Sequence, residues 1–227
     1  MLDALAASVA GSILCLDRIC LQMMISRPVV TGVIIGWLLQ DPYAGLITGA
    51  MVELLWVDRS QIGVSIPPND TLASVTITAA TIFCGRSIGS TPQDLMALAV
   101  LLLIPVGLLG RQMDVMIAQA NERLSMKALD DAARGDAGAV SRRHVIGTVR
   151  AIIFSFLFLA GSILIATEIL LVVYTHAPSN ILMSLRVLYD FILILGMAVA
   201  INTMNLRGAV PILCGIFLAI TLLFDFL

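Results

Sequence analysis

Uncharged apolar runs divide the chain into two unlike halves. In the second half they cover residues 151–167, 169–185, 191–206 and 208–224, each 16 or 17 residues long. That is slightly short of the ~20 residues a straight membrane span requires. Glu168, Arg186, Asp190 and Arg207 interrupt them, and three helices are predicted near 150–175, 179–205 and 208–226, with His176-Ala177-Pro178-Ser179 as the first turn. Arg186 and Asp190 lie four residues apart, which predicts an ion pair on one helical face. The first half is less regular. Its runs, 4–16, 28–40, 42–52, 71–85 and 95–110, are broken by Pro28, Pro42, Pro67, Pro68 and Pro92. Short, interrupted apolar segments predict broken or re-entrant helices, which a bilayer tolerates only where their backbone lines a cavity or is buried in protein.

Between the halves lies a polar connector. Residues 111–150 hold 12 of the 28 charges of the chain, seven basic and five acidic. The chain therefore divides into an N-terminal membrane half (1–110), a connector (111–150) and a set of C-terminal membrane helices (151–227). The connector's basic excess places it on the cytoplasmic side. Met113, Met116, Ile117, Ala120 and Leu124 recur at the spacing of an amphipathic helix, either covering the underside of the membrane domain or docking a soluble partner.

Composition agrees with that division. The chain is 59% hydrophobic and 12% charged, with a net charge of −2 and a mean hydropathy of +1.03. A soluble domain carries about 25% charged residues, and a nucleic-acid-binding one has a basic excess that is missing here. The expected class is an all-α integral membrane protein with several spans. Cys15, Cys20, Cys84 and Cys214 form no C-x-x-C pair and read as buried small apolar residues, while His144 and His176 show no ligand spacing. Neither a metal site nor a cofactor is expected. Met1-Leu2-Asp3 gives no basic n-region, so no cleaved leader is expected.

Two elements carry candidate chemistry. Gly32 and Gly36, then Gly45 and Gly49, form G-x-x-x-G pairs that let helix backbones approach closely. Glu53, four residues after Gly49, shares its face, and a carboxylate on that face must be packed or line a cavity because lipid exposure costs roughly 2.5–3.5 kcal/mol. The second element is Gly63-Val64-Ser65-Ile66-Pro67-Pro68-Asn69-Asp70-Thr71-Leu72-Ala73-Ser74. The two prolines end any preceding helix, and Asn-Asp signals the cap of a new one along which Ser74, Thr78 and Thr81 continue a polar stripe. At mid-membrane depth such a helix start turns its free N–H groups into a cavity. Asp70 there bonds sugar hydroxyls or only caps its own helix, two readings that are compatible. Seventeen residues between Glu53 and Asp70 allow a chain reversal that brings both to one cavity.

Leu16-Asp17, Arg27-Pro28, Glu53-Leu54-Leu55-Trp56 and Gly63 through Ser74 resemble the enzyme IIC component of the mannose/fructose/sorbose family of the bacterial phosphotransferase system. The motifs cover roughly the first 85 residues, and the remainder is similar in layout. The resemblance implies a sugar-translocating subunit in the bacterial inner membrane, within an oligomeric complex of a IID membrane subunit and phosphorylated cytoplasmic IIA and IIB proteins. Sugar is phosphorylated by IIB as it is released inward, and the IIC chain carries no phosphorylated or catalytic residue of its own. Glu53, Asn69 and Asp70 match the family's motif positions and are the expected substrate-binding residues. Asp58 stands where family members carry glycine, and the stretch ahead of Leu16-Asp17 is short for the family, which implies an incomplete first helix. The residues also admit a proton-coupled transporter using Glu53 and Asp70 as a relay, or a regulatory remnant that no longer transports.

Overall fold

A computed structural model describes residues 1–18, 20, 22–56, 66–203, 211 and 215. Among these, eight α-helices follow one another: α1 (Leu2–Cys15), α2 (Pro28–Leu38), α3 (Pro42–Trp56), α4 (Asp70–Ile88), α5 (Gln93–Leu103), α6 (Pro105–Ala133), α7 (Ala137–Thr175) and α8 (Ser179–Thr203). A 3-10 turn, Leu16–Arg18, closes α1. Proline sets several helix starts: Pro28, Pro42 and Pro105 sit in first turns, where no intrahelical N–H partner is lost. Asn69 caps α4 by accepting from Leu72 N, Gly89 ends it in the left-handed region (φ 90°), and Asp136 caps α7 by accepting from Ala139 N.

Among the described residues, four helical segments are long and apolar enough to cross a membrane: 70–88, 93–133, 137–175 and 179–199. By contrast, α2 and α3 have 11 and 15 residues. At 1.5 Å per residue these reach about 16 and 22 Å, short of a hydrocarbon core of about 30 Å. They fold back on each other as a hairpin turning at Leu39–Asp41, where Gln40 takes a positive φ of 64°.

The glycine pairs explain the hairpin. A Cβ on Gly45 would lie 2.3 Å from the Gly32 carbonyl oxygen and 2.8 Å from Gly36 Cα, and one on Gly49 would lie 2.5 Å from the Pro28 carbonyl. The two G-x-x-x-G faces are therefore buried against each other within this chain.

Helix α4 is the hub, touching α1, α2, α3, α5, α6 and α7, and it is buried almost throughout. Its stripe of hydroxyls is satisfied from several sides. Ser74 Oγ donates to the Pro28 carbonyl (2.8 Å), Thr78 bonds Thr48 (2.9 Å), and Thr76 bonds Ser162 on α7 (3.0 Å). At the far end of α4, Arg86 pairs with Asp3 (2.6 Å) and donates to the Leu39 carbonyl, while Thr91 donates to Asp41 (2.8 Å), fixing the turn of the hairpin.

The polar stretch 111–150 folds as the hairpin of α6 and α7. Helix α7 starts at Ala137 rather than near 150, because Asp136 caps it at once after the turn at Gly135. Met113 and Ile117 are buried. Arg143 pairs with Asp131 (3.1 Å), and Arg150 donates to Asn121 Oδ1 (3.2 Å) and to the Ala120 carbonyl.

The expected Arg186–Asp190 pair does not form. Helix α8 packs on α5, and Arg186 Nε turns to Asp94 Oδ2 (3.4 Å), whose other oxygen accepts from Tyr174 (3.4 Å). Asp94 is buried and Asp190 exposed, so the interhelical carboxylate takes the guanidinium. Cys15 and Cys84 are buried as expected, but Cys20, which lies in a turn beyond α1, is exposed. The helix expected at 208–226, together with Arg207 and Cys214, lies outside the described residues apart from 211 and 215, as do Asp58, Arg59 and Gly63–Ser65.

Candidate functional site

The 3-10 turn after α1 ends that helix with two adjacent charged residues that do different work. Asp17 is buried and accepts from Met23 N (2.7 Å), Ser26 N (3.0 Å) and Ser26 Oγ (2.9 Å). The carboxylate thereby folds the following segment around itself and holds Gln22 and Met24 at positive φ (53° and 63°). Burial opposes its charge, and the hydrogen bonds from Met23 and Ser26 outweigh burial, holding the carboxyl below the usual carboxylate range. The stability it contributes is present above the ordinary carboxylate pKa and is lost as pH falls through the lowered value. Asp17→Asn is therefore expected to lower the thermal midpoint in detergent at neutral pH, with the difference from wild type shrinking toward acid pH. A midpoint unchanged at pH 7 would contradict this role.

The segment Ser26–Val29 is held on both flanks. On one, Thr71 Oγ1 donates to the Ser26 carbonyl (2.8 Å) and Ser74 to that of Pro28. On the other, Glu53 accepts from Arg27 Nη1 (3.0 Å) and Val29 N (3.2 Å). Glu53 is thus tied to the start of α2 by the hairpin packing that its glycine neighbours make possible. The rest of the Glu-Leu-Leu-Trp element packs outward: Leu54 fills the space over Gly196 on α8, and Trp56 stacks on Gly107 of α6.

Asn69 and Asp70 lie at the start of α4. Asn69 N donates to the Gly107 carbonyl (2.9 Å), its Oδ1 caps the helix, and its Nδ2 donates to both oxygens of Asp114 (2.8 and 3.1 Å). Gly110 permits the contact, because a Cβ there would meet Asn69 Cβ at 2.9 Å. Asp70 pairs with Arg18 Nη1 (2.9 Å) and is 32% exposed against 15% for Arg18. The cap is therefore Asn69, and Asp70 occupies the first helical position, where its charge also favours the helix dipole.

Arg18, Asn69 and Asp114 line one end of a cavity of about 760 Å³ bounded by α1, the start of α4, α6 and α7. That lies within the 300–1,000 Å³ usual for small-molecule sites. Asn69 lines this end, whereas Asp70 is not among the lining residues and is linked to it only through its pair with Arg18. Glu53 is not among the lining residues and lies across the Ser26–Val29 segment. Arg18 and Asp114 were not anticipated from the sequence. Arg18 directly follows the Leu-Asp motif. Asp114 sits four residues after Gly110 and three before the buried Ile117, a carboxylate placed on an apolar helical face.

Residues 1–227 match the family described as the sorbose-specific IIC component of the phosphotransferase system. The sorbose-specific EIIC component of Lacticaseibacillus casei is 25% identical over 186 residues, covering 82% of this chain and 64% of that protein. The mannose-specific EIIC component of Escherichia coli K12 is 23% identical over 208 residues, covering 91% of this chain and 74% of that protein. The chain thus spans about two thirds of the length of the curated relatives it matches. A cryo-EM structure of the mannose transporter ManYZ in complex with microcin E492 superposes with a TM-score of 0.63 at 20% identity, over 97% of this chain and 86% of that one. That is a likeness of fold. With the family match running over its whole length, the chain belongs to the sorbose-type IIC family of the phosphotransferase system.

Proposed function

We propose that this chain is the sugar-translocating IIC subunit of a mannose-type phosphotransferase permease. It moves a hexose or related sugar inward as a IIB protein phosphorylates it. The observation that carries the reading is the cavity at the start of α4. A helix beginning after a double proline sets the Asn69 carboxamide, and beside it an arginine paired with Asp70, at the end of a ligand-sized space. Such oriented donors and acceptors suit a neutral polyol. Asn69 and Asp70 are proposed to bind the sugar from the α4 side, and Glu53 from the hairpin side of Arg27–Pro28.

The family match supports a IID membrane subunit and cytoplasmic IIA and IIB proteins as the proposed partners in the bacterial inner membrane, and the basic excess of residues 111–150 supports placing that stretch on the cytoplasmic face. The α2–α3 hairpin supports a membrane partner. It is too short to span, and it leaves Val33, Trp37, Tyr43 and Leu46 exposed. A proton relay through Glu53 and Asp70 is less well supported, because each carboxylate is tied to an arginine rather than to a second proton-exchanging group.

The test is uptake by cells expressing this chain with IIA, IIB and IID, across a panel of hexoses and amino sugars. At least one sugar is expected to accumulate as its phosphate. Accumulation of free sugar would instead indicate a secondary transporter, and no uptake with every partner present would indicate a regulatory remnant.

A further inference from the structure

The cavity does not end at Asp114. It continues between α6 and α7 to Ser125, Arg143, His144 and Thr148. Asp114 and Ser125 are eleven residues apart on one continuous helix, about 16 Å at 1.5 Å per residue. That is longer than one phosphorylated hexose, so the two ends form separate stations. Their chemistry differs. The inner end holds the Asn69 carboxamide and the Asp114 carboxylate beside Arg18. The outer end offers the Arg143 guanidinium, the His144 imidazole and the Ser125 hydroxyl, while the Thr148 hydroxyl donates to the His144 carbonyl (3.0 Å).

Among the described residues Arg143 engages Asp131 through Nε alone (3.1 Å). A guanidinium carries five N–H donors in a planar fork, so the Nη edge is left for another acceptor. The wall beside it is braced: Arg150 reaches across from α7 to the Ala120 carbonyl and to Asn121 Oδ1, and Asn121 Nδ2 returns to the Gly147 carbonyl (3.4 Å). A planar guanidinium fork beside an imidazole and the Ser125 hydroxyl matches a phosphate monoester, whose oxygens favour charge-assisted, multidentate hydrogen bonds. A neutral sugar gains much less from such a group.

We infer that the outer end of this cavity, built on Arg143, His144 and Ser125, is a binding station for a phosphate monoester, and that its occupant is the phosphorylated sugar on its way out. This rests on the proposed transport function and adds a product site distinct from the Asn69–Asp70 end.

The experiment follows the phosphorus NMR signal of inorganic phosphate, titrated with the chain and its membrane partner in zwitterionic nanodiscs at fixed ionic strength. The test variant combines Arg143→Gln with Asp131→Asn, which removes the ion pair without stranding the aspartate, and His144→Gln. The control is Arg142→Gln, the same kind of substitution at a neighbouring residue outside the cavity lining. Phosphate affinity is expected to fall about tenfold or more in the test variant, as loss of charge-assisted bonds implies, and to stay near wild type in the control. Mannose 6-phosphate and glucose 6-phosphate are expected to displace phosphate where the free sugars do not. Equal loss in the control would mean diffuse surface charge and would overturn the site. Phosphate binding that neither sugar phosphate displaces would overturn the assigned occupant and favour a phosphorylated protein. The uptake assay reads the parent function separately: uptake without a phosphate station refutes only this inference, and a station without uptake refutes only the transport reading.

Discussion

Gly45→Leu is expected to abolish recovery of the folded protein, the largest stability effect of any single substitution considered. A Cβ at residue 45 alone would stand 2.3 Å from the Gly32 carbonyl oxygen and 2.8 Å from Gly36 Cα. Both are backbone atoms, so no side chain can swing aside, and the two helices must separate. Overpacking a core that can adjust costs about 1–3 kcal/mol, and here the strain falls where two backbones touch at consecutive turns. Separation would also pull Glu53 from Arg27 and Val29 N, and Pro28 from Ser74, which dismantles the wall between hairpin and α4. Gly45→Ala is expected to give a smaller loss in the same direction. Gly161→Ala is the control: nothing lies within 4 Å of its Cβ, and alanine is the better helix former by roughly 0.5–1 kcal/mol. Fluorescence-detected size exclusion in detergent, with the partner subunit coexpressed, reads all three. A wild-type elution profile for Gly45→Leu would show that the hairpin is not held by backbone contact.

The glycines also mark how far the sequence could be read. Spacing identified both close-packing faces and the four-residue offset that puts Glu53 on one of them, because helical period is a local property. It did not identify the partner of each face, and the two faces meet each other. The same division runs through the charges. Arg186 and Asp190 have the spacing of a pair, yet Arg186 goes to Asp94, 92 residues earlier, once α8 packs on α5. At the site, Pro67-Pro68-Asn69-Asp70 announced a helix start and its cap. Asp114, which holds the other side of the Asn69 carboxamide, comes from α6, 45 residues further on, and only the docking of α6 along Gly107 and Gly110 brings it there. The length of α7 was misjudged for a local reason. A change from polar to apolar composition at residue 150 reads as a boundary, while the backbone continues as one helix from its cap at Asp136.

Asp70→Asn is expected to leave the complex assembled while lowering sugar uptake about ten- to a hundredfold. Assembly survives for three reasons. Asn69, not residue 70, caps α4. An asparagine at 70 is nearly the same size as aspartate. Its Oδ1 can still accept from Arg18 Nη1, so the guanidinium is not left bare. What is lost is the negative charge, and with it a strong acceptor for a sugar hydroxyl. Hydrogen bonds to charged groups contribute about 1.5–3 kcal/mol, and each 1.4 kcal/mol is roughly a factor of ten. Glu53→Gln is expected to act in the same direction with little effect on stability, since Arg27 is half exposed and water can replace its partner. Arg18→Gln separates two ways in which Asp70 can matter. If Asp70 acts only by positioning Arg18, the single variants and the double variant lose the same amount of uptake. If Asp70 touches the sugar, Asp70→Asn lowers uptake further in the Arg18→Gln background. Initial uptake rates over a range of sugar concentrations, normalised to assembled complex, decide between them. Wild-type rates in both Asp70→Asn and Glu53→Gln would make these carboxylates structural and place the sugar elsewhere in the fold.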